Sequence, residues 1–209
     1  MWFLNQLDSD NSAYHIVLLI RFQGRLDVAV LERSVNEIVQ RHEALRTRLA
    51  VVDGVPAQFA VPEFDLSLQV VDVVAPPASD RFDQAMRQAR EEACRPFDLA
   101  AGAAIRVLLL RVTPEDHLLV VTVHHVVCDG VGITTFMDEL VRLYTAFVQG
   151  RPSPLEDLPV SYIEVARRRH QQLREDRLAA GIAYWQRRAV RRPDGRHVDA
   201  RAALETAGR

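Results

Sequence analysis

Cysteine is scarce in this chain of 209 residues, with only Cys94 and Cys128 present. Two thiols build no disulfide framework and match no metal-ligand spacing, a usage that fits a reducing cytosol. An excess of either charge is also lacking: 26 Lys and Arg stand against 28 Asp and Glu. That balance points away from nucleic acid or an anionic membrane as the main partner. Long hydrophobic runs are missing too. The segments HIVLLI and HLLVVTV fall well short of the roughly 20 apolar residues of a membrane helix. The N-terminus MWFLNQLDSD has no basic stretch and turns acidic at Asp8, unlike a signal peptide. What remains is 48% hydrophobic and 26% charged, ordinary values for a globular chain long enough to bury a core. The expectation is a soluble, cytoplasmic protein of one domain or two small ones.

Periodicity then orders the chain. Residues 14–24, YHIVLLIRFQG, read as a strand ending at a glycine. Asp27 suits a helix cap, and Leu31, Val35, Ile38 and Val39 behind it recur at helical spacing. LRTRLAVVDGVPAQFAV reads as a hairpin turning at Asp53-Gly54. FDLSLQVVDV alternates as a further strand, and APPASD links it to a helix over 81–94 that Pro96 stops. Residues 102–112 and 117–127 are almost continuously apolar around a TPED turn, the pattern of strands covered on both faces. A helix over about 131–148 places Ile133, Phe136, Leu140, Leu143 and Phe147 on one side. After the loop QGRPSPLEDLP, a long basic helix begins near Ser161. Strands and helices alternate while hairpins mix the strand directions, so the expected fold is α/β, a two-layer sandwich with a mixed sheet. The last residues, rich in Arg and Ala, have too little apolar surface to repay ordering and are expected to form a disordered tail.

The stretch VTVHHVVCDGVG carries the chemistry. Strand alternation sends His124 and His125 to opposite faces, which argues against one metal held by both. Gly130 lets the chain turn sharply where a side chain would collide, and the helix after it brings its positive end to the same corner. One histidine then faces a crevice while the other packs inward, and Asp129 is placed to hold the corner shut by pairing with an arginine. An imidazole so placed suits general-base chemistry near neutral pH. Against this stands the plain reading of a satisfied polar residue beside an ordinary turn. Cys128 lacks an orienting partner and reads as a small core residue rather than a nucleophile.

Those residues, HHVVCDG, resemble the HHxxxDG signature of nonribosomal peptide synthetase condensation domains, whose superfamily includes chloramphenicol acetyltransferase. WFLNQL (2–7), RHEALRTRL (41–49), RPFDLAAGAAIRVLLLRV (95–112), LPVSYIEVARRRHQQL and AYWQRR resemble other family motifs, in the family's order. The resemblance covers roughly residues 1–188 and implies the N-terminal lobe of a condensation domain with a chloramphenicol acetyltransferase-like fold. It implies amide formation between acyl or peptidyl and aminoacyl thioesters, both carried on phosphopantetheine of upstream and downstream carrier proteins. No directly bound cofactor and no metal are implied. By position, His125 is the catalytic histidine, acting on the attacking amine as base or by orienting it. Gly130 aims its N–H at the thioester arm, and His124 is structural. Asp129 matches an aspartate paired with arginine, for which Arg41 and Arg46 are the candidates.

The chain also departs from the family. The pattern fades after Arg188, so 189–209 reads as an out-of-family tail of the kind a frameshift produces, and the second lobe is expected to be missing. A half tunnel would be weakly active or inactive alone, requiring a partner lobe or self-association. Two other readings stay open: a stand-alone oligomeric CoA-dependent acyltransferase and a non-catalytic carrier-docking remnant.

Overall fold

The computed structural model describes residues 1–62, 64–75, 80–102, 104–174 and 177–189. The chain divides into two units, Met1–Ile163 and Glu164–Arg209. The first begins with α1 (Trp2–Leu7), β1 (His15–Gln23), α2 (Val28–Arg41), β2 (Thr47–Val52), β3 (Val55–Ala60) and β4 (Gln69–Asp72). Then come α3 (Arg81–Cys94), β5 (Ile105–Thr113), β6 (Asp116–His124) and α4 (Gly130–Val148). α5 (Tyr162–Arg174) starts at the end of this unit, and α6 (Arg177–Ala189) lies in the second. In α6 the rings of Tyr184 and Trp185 meet edge to face with centroids 5.4 Å apart. Of the tail expected over 189–209, Ala189 is the last residue of α6 and 190–209 lie outside the described residues.

Four strands form one mixed sheet in the order β1-β6-β5-β4. β6 runs antiparallel to both neighbours, whereas β4 and β5 are parallel. A parallel pair needs a long crossover, and α3 provides it. Alternation decides what each face meets. Ile105, Val107, Leu109, Leu119, Val121 and Val123 share a core with Leu31, Val35 and Ile38 of α2 and Phe136, Leu140 and Leu143 of α4. Leu108, Leu110, Leu118 and Val120 point the other way, onto Ala85 and Ala89 of α3. Each such aliphatic side chain contributes roughly 1.5–3 kcal/mol by leaving water. The unbroken apolar runs of β5 and β6 thus follow from cover on both faces. The expected α/β fold with a mixed sheet is the one formed, with α2 and α4 on one face of the sheet and α3 on the other.

Local chemistry sets the element ends. Asp27 caps α2 by accepting the Val30 N–H at 3.0 Å. Asp53 and Gly54 have φ of 51° and 78° and join the paired residues Val52 and Val55, the positive-φ turn that matches strand twist. Asn36 holds the Leu66 backbone through both amide atoms, and Glu32 accepts the Leu68 N–H, strapping the approach to β4 along α2.

Candidate functional site

β6 ends at His124, three residues earlier than the apolar run suggested. The His125 N–H still donates to the Tyr14 carbonyl at 2.8 Å, the next pair in the β1–β6 register. The ladder stops at Val126, whose N–H donates to Nδ1 of His124 at 3.1 Å. The chain leaves the ladder, turns through 125–127, and enters α4 at Gly130.

The histidines part as alternation requires. His124 is fully buried, among Tyr14, His15 and Phe97, whose ring centroids lie 6.4, 5.9 and 6.1 Å away. Burial, with the neighbouring His15 and His125 adding to it, lowers its pKa to about 4. Because Nδ1 accepts a hydrogen bond, the neutral ring carries its proton on Nε2. His15 opposite is held by Nδ1 against the Ala93 carbonyl at 2.7 Å. His125 is exposed, with its backbone pinned and its ring facing solvent at the sheet's end.

The predicted arrangement around Asp129 needs correcting. Among the described residues its carboxylate pairs with no arginine: it caps α4, accepting the Gly132 N–H at 2.9 Å. Arg41 instead pairs with Glu139, Nε to Oε1 at 3.0 Å. Arg46 donates to the backbone carbonyls of Gln40, at 3.3 Å, and Val61. The reason differs for each residue. The helix N-terminus just after the aspartate offers it unpaired N–H groups as immediate partners. Arg41 at the end of α2 meets Glu139 where α2 packs on α4, and Arg46 meets backbone carbonyls near it in the chain.

Gly130 differs from expectation as well. Its φ lies outside the left-handed region, and a Cβ there would meet nothing within 4 Å. The glycine leaves open space at the head of α4, where the helix presents partial positive charge. Gly132 is the crowded position, since its Cβ would come within 2.7 Å of the Cys128 sulfur. Burial and the adjacent Asp129 push the Cys128 thiol pKa up, opposite to what a nucleophilic thiolate needs.

Sequence reasoning missed Glu139. It lies among the apolar residues of α4, is 6% exposed, and also accepts from His42 Nε2 at 2.7 Å. A carboxylate on a buried helical face was the available signal. Between this cluster and the start of α4 lies a cavity of about 180 Å³, lined by Ile38, Leu45, Cys128, Ile133 and Phe136. Among the described residues no three His, Cys, Asp or Glu converge to hold a metal.

The family model for the condensation domain matches residues 1–194. One of the linear gramicidin synthase proteins of Brevibacillus parabrevis is 35% identical over 185 residues, 88% of this chain and 2% of that protein. Chondramide synthase cmdD of Chondromyces crocatus is 33% identical over 188 residues, 90% of this chain and 5% of that one. The solved starter condensation domain of rhizomide synthetase RzmA superposes with a TM-score of 0.82 at 22% identity, covering 92% of this chain and 46% of that one. SgcC5 from Streptomyces globisporus superposes with a TM-score of 0.67 at 28% identity, covering 84% and 40%. This chain therefore spans under half the length of these solved relatives and a small part of the curated ones.

Proposed function

The chain belongs to the condensation-domain family, and from that premise we propose that it forms one wall of an amide-forming site. Condensation domains act on substrates carried on phosphopantetheine, and the fold, TM-score and motif order support the same use here. In this reading the amine of a carrier-bound aminoacyl group attacks the thioester carbon of a carrier-bound acyl or peptidyl group. The C–N bond forms, the C–S bond breaks, and the proton lost by nitrogen ends on the departing thiol. His125 accepts that proton in passage or orients the amine that gives it. The Gly130 N–H, at the head of α4 with open space beside it, faces the oxygen that becomes negative. A preorganised donor at such a position is worth roughly 3 kcal/mol. His124 and the Asp129 cap shape the turn that carries both, and Arg41 and Arg46 fix the α2 end beside it.

One observation carries the reading: a solvent-facing imidazole on a pinned backbone stands five residues before the Asp129-capped head of α4, where Gly130 leaves open space. Much of the acceleration in thioester aminolysis comes from positioning, and positioning in a water-excluding tunnel needs a second wall. We assign that wall to a further lobe and the substrates to upstream and downstream carrier proteins. No helix among the described residues is long and apolar enough to cross a membrane. Together with two free cysteines, this supports a cytoplasmic site of action.

The test mixes the chain with one acyl-loaded and one aminoacyl-loaded carrier protein, with and without a separately expressed second lobe, and follows the amide product by mass spectrometry. Product that depends on the second lobe supports the reading. No product under either condition contradicts it.

A further inference from the structure

Three features of the first unit stand outside the chemistry above: the unpaired edge of β1, the thiol of Cys128, and the ion cluster joining α2 to α4. Nothing in the structure says what would cover the edge, and the thiol stands alone. The ion cluster has a consequence for the site itself.

Glu139 sits on the face of α4 that also buries Phe136, Leu140 and Leu143. Both its oxygens are used. Oε1 accepts from Arg41, the last residue of α2, and Oε2 from His42, the C-cap of the same helix. Phe136, Leu140 and Leu143 of α4 pack in the apolar core, through contacts that are without direction. Hydrogen bonds to a charged carboxylate have direction and fix distance. A second directed link, from the Asp27 N–H to the Tyr144 hydroxyl at 3.0 Å, ties the opposite end of α2. Two such links set both the separation and the rotation of one helix on the other.

The side of α4 that runs back from Glu139 toward Gly130 lines the cavity of about 180 Å³, and His42, Ala44 and Leu45 line it from the α2 side. Cys128 is on the same wall. Since Asp129 caps α4 rigidly, any rotation of α4 about its packing carries the cap, Gly130 and the Cys128 turn with it. The other side of the site does not follow. His125 is tied through its own N–H to Tyr14, just ahead of β1.

We propose that Glu139 is a positioning residue for the HHxxxDG turn: by gripping Arg41 and His42 it sets the gap between α2 and α4, and with it the placement of Gly130 relative to His125. Glu139 touches no reacting atom; it acts through α4. The role rests on the amide-forming reading, but the placement it controls is measurable without turnover.

The experiment compares wild type with Glu139→Gln, which keeps the shape and removes the charge, and Glu139→Asp, which keeps the charge and shortens the reach. Cys128 alkylation is measured against pH to separate access from ionisation, with exposed Cys94 as internal control. The His125 ring is followed by its imidazole NMR signals. The expected result for Glu139→Gln is at least a tenfold faster Cys128 reaction and a displaced His125 environment, with Cys94 unchanged and partial return in Glu139→Asp. If Glu139→Gln fails to fold, His42→Ala, which removes one of the two donors, carries the same expectation. A folded variant with unchanged Cys128 rate and unchanged His125 signals overturns the proposal. Where amide formation is observed, the positioning role also predicts a lower kcat at unaltered KM. Wild type that forms no amide counts against the functional reading alone and leaves the thiol and NMR outcome standing.

Discussion

Nδ1 of His124 accepts the N–H of Val126 at 3.1 Å, so a buried side chain takes over where the β6 ladder stops. The same ring is fully buried and neutral, and it faces His15 across the β1–β6 pair. A proton on Nδ1 would destroy that hydrogen bond and place a charge beside Phe97.

This makes stability pH-dependent with a definite sign. The ordinary histidine value is 6.5, and burial lowers His124 to about 4. Between those values the unfolded chain binds a proton that the folded chain refuses, so the contribution is complete above 6.5 and lost as pH falls toward 4. From pH 7 to pH 5 the expected loss is about 2 kcal/mol, with His117, also lowered by burial, acting in the same direction. Urea unfolding at the two pH values measures it. A His124→Asn variant is expected to lose most of this pH dependence, and a variant as pH-sensitive as wild type would show that another group is responsible.

Removing Arg41 tests how strongly the α2–α4 ion cluster supports the fold. Its side chain is 17% exposed and that of Glu139 8%, so Arg41→Ala leaves a nearly buried carboxylate with His42 as its remaining partner. Breaking a buried pair from one side costs about 3 kcal/mol or more, and the expected loss here is about 3. Thermal unfolding of Arg41→Ala beside Arg46→Ala separates the two arginines. Arg46, which donates to backbone carbonyls, is expected to matter less. The reverse ranking would contradict the partner assignment.

Gly132 and Cys128 are expected to be energetically coupled. A Cβ at 132 would meet the Cys128 sulfur at 2.7 Å. Gly132→Ala alone therefore sets a steric cost against the helix-propensity gain of about 1 kcal/mol. With Cys128→Ala in the background the obstruction is gone and the gain remains. A double-mutant cycle by denaturant unfolding should show about 1 kcal/mol of coupling. Additive effects would mean the thiol simply swings aside.

Features built from neighbouring residues were legible in the sequence. Asp27 caps α2, Asp53-Gly54 turns the β2–β3 hairpin, and α3 ends just before Pro96, each from chemistry within a few residues. The apolar runs of β5 and β6 announced cover on both faces without saying which helices supply it. The end of β6 was not legible, because what takes the Val126 N–H off the ladder is a side-chain atom, Nδ1 of His124. The HHxxxDG stretch marked the corner, but the partners of its aspartate and of Arg41 depended on α2 meeting α4. Glu139 lies about a hundred residues from the arginine it binds, and no local pattern links them. The crowding expected at Gly130 falls at Gly132 instead, because crowding at a glycine depends on where one sulfur atom points.

The most direct measurement is the rate of amide formation between two loaded carrier proteins, in the presence of a second lobe, by wild type and His125→Ala. His125 is exposed and its fold contact is through the backbone, so the variant should melt within about 0.5 kcal/mol of wild type. Its amide-forming rate should fall by roughly 10²–10⁴. An equally folded His125→Ala protein that makes amide at the wild-type rate would contradict the account.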